Sequence, residues 1–189
     1  MKVILASASP RRREILEMLG LNAEIVPAEG EEHIPAELEP GEAAAAVSAG
    51  KAREVHERRP DGDIVIAADT IVVLDGEIFG KPRDRESAFN MLRSLSGRTH
   101  EVYTGLCVIA GGRERTEYEK TEVTFRALDD DEITAYINSG EPMDKAGAYG
   151  IQGRGALLAE KIDGDFFNVM GLPVCRLGKL LKKQGVSLL

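Results

Sequence analysis

Two cysteines in 189 residues, Cys107 and Cys175, are far too few for a disulfide framework. Both sit among apolar neighbours (GLCVIA and LPVCRL), so buried thiols in a reducing compartment are expected. Long apolar runs are also missing. The opening VILA is too short for a signal-peptide core and no stretch approaches the length of a membrane span, which points to the cytoplasm and away from a membrane. Positive charge is in deficit: 24 Lys and Arg against 32 Asp and Glu leave a net charge of −8, which argues against a general nucleic-acid binder. The three histidines, His33, His56 and His100, have no zinc-site spacing, and no serine or cysteine is coupled to a histidine in a nucleophile motif. Nothing suggests covalent catalysis. Repeats, linkers and low-complexity segments are absent.

The length suits one domain over residues 1–189, with room for two lobes. KVILA (2–6) reads as a short buried strand running into a helix that starts at Pro10, with Ser9 as its N-cap. AEIVPA (23–28) reads as a second strand, followed by an acidic loop and an alanine-rich helix over 42–58. DIVIAAD (63–69) is a third strand ending at Asp69, and TIVVLDGEIFGKP a hairpin turning at Asp75-Gly76. A helix then runs to Gly97, and two long strands meet at Gly111-Gly112. An acid-capped helix from Asp129, a glycine-rich segment, a strand-like stretch and a closing helix complete the chain. Helices alternate with strands and several strands pair as hairpins, so the fold class is α/β with a mixed sheet.

Against this acidic background stands SASPRRREIL, with Arg11, Arg12 and Arg13 in the first turn of a helix. That end carries partial positive charge and ordinarily favours acidic side chains. A strand–loop–helix junction with small residues can turn backbone N–H groups toward an anion, with hydroxyls from Ser7 and Ser9 beside them. Arginines there add bidentate phosphate contacts, or else pair with Glu14, Glu17 or the acidic loop. The motif is not a P-loop, because its glycine spacing and terminal Lys-Ser/Thr are missing. Asp69, closing an apolar strand, either caps a turn or stands at a ligand-binding sheet edge, where a buried carboxylate needs a partner. Lys51 lies on a stripe with Val47 and Val55, a position from which most lysines extend to water. Lys81, in FGKP, is either held near phosphate or simply solvated, and Glu31 and Glu32 are either metal carboxylates or a solvated acidic loop. Taken together, Arg11, Arg12, Lys51 and Lys81 supply cations, and Glu32 and Asp69 supply carboxylates able to hold Mg²⁺ or activate water. Polyphosphate hydrolysis needs that combination.

LASASPRRREIL, GEEH, AADTIVVLDGEIFGKP, LSGRTHEVYTGL, VTFRAL, DKAGAYGIQGRGA and VMGLPV occur in this order along the whole chain. In this series the sequence resembles the Maf family of nucleoside triphosphate pyrophosphatases. The resemblance implies an elongated mixed sheet with two lobes around a cleft, like the fold of inosine triphosphate pyrophosphatases. It implies a divalent cation, Mg²⁺ or Mn²⁺, and a homodimer. By position, Asp69 matches the proton acceptor and Ser7, Arg12, Lys51 and Lys81 match polyphosphate contacts. Glu32 matches an acidic position assisting metal or water, with Asp69 as a second metal carboxylate. Arg11, Thr70 and Gln152 match a trio that separates branches, and here look like the dTTP/UTP branch; the 7-methyl-GTP branch typically carries Trp, Gln and Glu. EGEEH departs locally, since many relatives have Asp-Glu where this chain has Glu31-Glu32. The expectation is hydrolysis of dTTP and UTP to monophosphate and pyrophosphate. A nucleotide-sensing regulator of cell division without turnover is the rival from another class, and a 7-methyl-GTP pyrophosphatase the rival within it.

Overall fold

Turn chemistry accounts for the hairpins. Asp75 and Gly76 both have positive φ (53° and 80°), as do Gly111 and Gly112 (56° and 71°), the geometry of two-residue turns that match strand twist. These turns belong to a computed structural model that describes residues 2–30, 34–35, 37–61 and 64–189. Its strands are β1 (Val3–Leu5), β2 (Ala23–Ile25), β3 (Ile64–Leu74), β4 (Glu77–Phe79), β5 (Thr99–Ala110), β6 (Arg113–Phe125) and β7 (Ala159–Asp163). The helices are α1 (Pro10–Met18), α2 (Pro40–Arg58), α3 (Arg85–Leu95), α4 (Asp130–Asn138), α5 (Phe166–Met170) and α6 (Val174–Lys183). Strand order is β2-β1-β3-β5-β6-β7, with β4 also on β3. β1 pairs parallel with β2 and β3, whereas β3/β4 and β6/β7 are antiparallel, so the sheet is mixed as expected. Among the described residues no helix is long and apolar enough to cross a membrane.

Contacts divide the chain into two compact units. One comprises Met1–Asp69, Thr104–Glu119 and Gly171–Leu189; the other comprises Thr70–Tyr103 and Lys120–Met170. In the first, one face of β1 and β3 (Ile4, Ala6, Val65, Ala67) packs with Ala49, Ala52 and Val55 of α2 and with Cys107 of β5. The helix lies so close that a Cβ on Gly105 would stand 2.1 Å from the Ala44 carbonyl oxygen, which explains a glycine inside β5. In the second, Val72 and Leu74 join Leu92, Val123, Phe125 and Ile133, each large side chain contributing about 1.5–3 kcal/mol by burial. His100 is buried edge-on to Phe125 and Tyr149, and its Nε2 lies 2.8 Å from the Tyr149 hydroxyl. Desolvation pushes its pKa down to about 4, so it is a neutral core group at neutral pH.

Three expectations are corrected. β2 stops at Ile25 instead of reaching residue 28, because its partner β1 ends at Leu5 and a strand extends no further than its ladder. Cys175 is exposed: it lies two residues before Leu177, which α6 buries with Leu180 and Leu181, and two residues turn about 200° around a helix. Cys107 is buried as expected, and desolvation raises its thiol pKa to about 11. Finally, β3 does not end at Asp69. Its register gives β1 partners to Ile64–Ile66 and β4 partners to Val72–Leu74, so an 11-residue strand carries Asp69 near its middle, between the β1 and β4 ladders.

Candidate active site

Capping boxes close the starts of α3 (Asp84 with Ser87) and α4 (Asp129 with Glu132), whereas α1, like α2 and α6, has no side-chain cap. Ser9 occupies its N-cap position, but its side chain makes no capping bond and the first turn contains no acidic residue. The Ser9 N–H donates to Ser7 Oγ at 3.2 Å. Arg12 folds back over the same loop, with Nη1 donating to Ser7 Oγ (3.0 Å) and Nε to the Gly171 carbonyl (2.7 Å). Arg13 leaves the cluster and pairs with Glu17 one turn on, a surface contact worth a few tenths of a kcal/mol. Arg11 remains half-buried in the first turn. A positive helix end, a guanidinium and a nearly buried hydroxyl thus share one loop, with no acidic residue in the helix's first turn.

Strand alternation places the carboxylate of the next pair on β3 beyond the end of β1. Ala6, beside Ser7, donates its N–H to the Ile66 carbonyl at 2.8 Å, and β3 continues past that point to Asp69. Asp69 has the parity of Val65 and Ala67, whose face is covered by α2, while Lys51 has the periodicity of Val47 and Val55 on that helix. The two side chains therefore meet. Lys51 Nζ lies 2.7 Å from Asp69 Oδ1, and the side chains are only 13% and 10% exposed. Lys51 accordingly does not extend to water. Its Nζ donates to one oxygen of the Asp69 carboxylate, and the second oxygen, Oδ2, stands outside that contact.

Thr70, Lys81 and Gln152 belong to the other unit. Thr70 shares its parity with Val72 and Leu74, so it projects from the opposite face of β3 to Asp69 despite being its peptide neighbour. Lys81 is exposed, with no ion-pair partner among the described residues, on a loop anchored where Gly147 N–H meets the Gly80 carbonyl at 3.1 Å. Gln152 is half-buried and precedes a 3₁₀ turn, Gly153–Leu157, with no capping bond from its side chain.

Glu32 lies outside the described residues. What the structure describes is the start of its loop: Glu54, one turn on from Lys51, accepts the N–H groups of Glu29 (2.8 Å) and Gly30 (3.1 Å) and pairs with Arg58. Sequence reasoning missed Glu54, although its i+3 spacing from Lys51 placed it on the same side of α2. It also missed Glu141, whose carboxylate binds the backbone after Gln152 and for which no local motif exists. Among the described residues no group of three or more His, Cys, Asp or Glu is placed to hold a metal ion. Asp69 offers hard oxygen donors of the kind magnesium takes one or two at a time, completing its shell with water and substrate phosphate.

The family described as Maf-like protein matches residues 2–184. The dTTP/UTP pyrophosphatase of Caldanaerobacter subterraneus is 52% identical over 186 residues, covering 97% of this chain and 89% of that protein. The dTTP/UTP pyrophosphatase of Bacillus velezensis is 50% identical over 186 residues and 98% of both chains. Among solved structures, the Ham1 protein of Staphylococcus aureus aligns at a TM-score of 0.45 and 12% identity, over 66% of this chain and 72% of that one.

Proposed function

Because the chain belongs to the Maf-like protein family, we propose that it hydrolyses dTTP and UTP to the nucleoside monophosphate and pyrophosphate. The observation that carries the chemistry is the Lys51–Asp69 pair, a nearly buried carboxylate held through one oxygen in the middle of β3. A carboxylate positioned in this way is suited to general-base work, since its orientation is set before substrate arrives. In this reading Asp69 takes a proton from the water that attacks the α-phosphorus, the bond to the bridging oxygen breaks, and pyrophosphate leaves. Ser7, Arg12, Lys51 and Lys81 hold the polyphosphate and balance its charge. Asp69, with Glu32 as second carboxylate, would hold a divalent cation, which supplies charge neutralisation on the phosphate oxygens when bound.

Arg11, Thr70 and Gln152 select the base. Uracil and thymine present an N3–H donor between two carbonyl acceptors, and the Gln152 amide offers one acceptor and one donor to match. Arg11 has donors only and favours a carbonyl over the amino group of cytosine. The trio argues against 7-methyl-GTP. The experiment is a product assay with Mg²⁺ or Mn²⁺ on dTTP, UTP, dCTP and 7-methyl-GTP. Monophosphate and pyrophosphate from dTTP and UTP, in preference to the other two, are expected. Saturable dTTP binding with no products would overturn the reading in favour of a nucleotide sensor, and preferential release from 7-methyl-GTP would overturn the substrate assignment.

A further inference from the structure

Glu141 has no part in the chemistry above, yet its half-buried carboxylate collects three donors. Oε1 accepts from the Tyr136 hydroxyl (2.9 Å) and the Gly155 N–H (3.0 Å), and Oε2 accepts from the Arg154 N–H (3.0 Å). Tyr136, buried on α4, in turn accepts the Gly150 N–H at 3.1 Å. The backbone two residues before Gln152 and two residues after it is therefore tied to one Tyr–Glu pair. Fit is close on both sides. A Cβ on Gly153 would lie 2.8 Å from Glu141 Oε2, and one on Gly155 would lie 2.0 Å from the Gly150 carbonyl oxygen. Lys145 Nζ donates to the Glu141 carbonyl at 2.6 Å, which fixes the backbone of the residue that does the tying. Burial opposes ionisation of this carboxyl, but the N–H groups of Gly155 and Arg154, the Tyr136 hydroxyl and the charge of Lys145 outweigh it and keep its pKa below the ordinary value.

A half-buried charge that accepts from two backbone N–H groups and a tyrosine hydroxyl is costly to lose, because each donor is then left without a partner. The glutamine that this charge surrounds has a side chain committed to no cap. We propose that Glu141 is the positioning residue of the base-reading loop: it sets where the Gln152 amide stands and so how tightly the pyrimidine is held. This rests on the reading of Gln152 given under Proposed function.

The test compares dTTP with inorganic tripolyphosphate, which has the phosphates and no base, as a competitive inhibitor. Gln152→Ala, Glu141→Ala and the double variant are assayed with the wild type. Gln152→Ala is expected to raise the KM for dTTP about tenfold, the value of one lost hydrogen-bonded contact. Glu141→Ala is expected to raise it by a similar factor, with kcat within about threefold and the tripolyphosphate Ki unchanged. The double variant should be no worse than the poorer single one, because the two residues act as one unit. A Glu141→Ala enzyme with wild-type KM, beside a weakened Gln152→Ala, overturns the inference and leaves base reading standing. Wild-type KM in both overturns base reading and the inference with it. Additive losses, or a tripolyphosphate Ki that rises in step with KM, mean that Glu141 only supports the fold. Should Glu141→Ala fail to fold, Tyr136→Phe removes one donor and the Gly150 acceptor while keeping the ring. The same KM rise, smaller and again without a change in Ki, is then expected, and an unchanged KM contradicts the proposal.

Discussion

Asp69→Asn is expected to lower kcat for dTTP by about 10²–10⁴-fold, the usual worth of a positioned general base. The substitution removes the base together with one negative charge from the proposed metal carboxylates, so it is assayed at saturating metal. The amide oxygen of Asn can still accept from Lys51 Nζ in place of Oδ1, so α2 and β3 keep their bridge at 2.7 Å. What disappears is the second oxygen's capacity to take a proton. Binding of dTTP should persist at saturating metal, because Ser7, Arg12, Lys51 and Lys81 hold the polyphosphate in the proposed site. Single-turnover kinetics with saturating metal separate the two effects. Turnover within tenfold of wild type would remove Asp69 from the base role.

Lys51→Met should be nearly as damaging, for a different reason. It deletes one preorganised cation, worth about 10²–10³-fold in kcat where charge develops in a water-poor site. It also leaves the Asp69 carboxylate, 10% exposed, without its ion-pair partner. Breaking a buried pair from one side costs about 3–5 kcal/mol, and somewhat less here because the pair retains slight exposure. Thermal unfolding should therefore fall by several degrees, at about 2–4 °C per kcal/mol for a chain of this size. The Lys51→Met/Asp69→Asn double variant carries neither charge and should recover much of that loss while remaining inactive. Wild-type kcat/KM in Lys51→Met would mean that this lysine serves only to satisfy the carboxylate.

These two residues also show how far the sequence could be read. Lys51 was visible as a residue on an apolar helical stripe and Asp69 as a residue at the end of an apolar run, each from local periodicity. That they face one another was not visible, because a period of 3.6 and a period of 2 each assign a face, and packing decides which faces meet. The length of β3 was misread for a related reason. A carboxylate inside a strand looks like its end, whereas β3 continues because β1 and then β4 pair along one edge and β5 pairs along the other. Ser9 held its position at the start of α1 because Pro10 marks the first turn, yet its side chain does not cap. The odd charge of Arg11–Arg13 was legible and divides three ways, with Arg12 turned onto Ser7 and Gly171, Arg13 onto Glu17, and Arg11 left in the first turn. Glu54 and Glu141 act on backbone far along the chain, from 13 to 25 residues away, and side chain-to-backbone contacts of that kind leave no pattern in a sequence.

In the proposed reaction a water activated at Asp69 attacks the α-phosphorus of a pyrimidine triphosphate. This step is tested most directly by hydrolysing dTTP with the wild-type enzyme in water enriched in heavy oxygen and weighing the products. Attack at the α-phosphorus breaks that atom's bond to the bridging oxygen, so label is expected in dTMP and none in pyrophosphate. Label in pyrophosphate would place the attack on the β-phosphorus, and label in free phosphate beside dTDP would place it on the γ-phosphorus; either result contradicts the account.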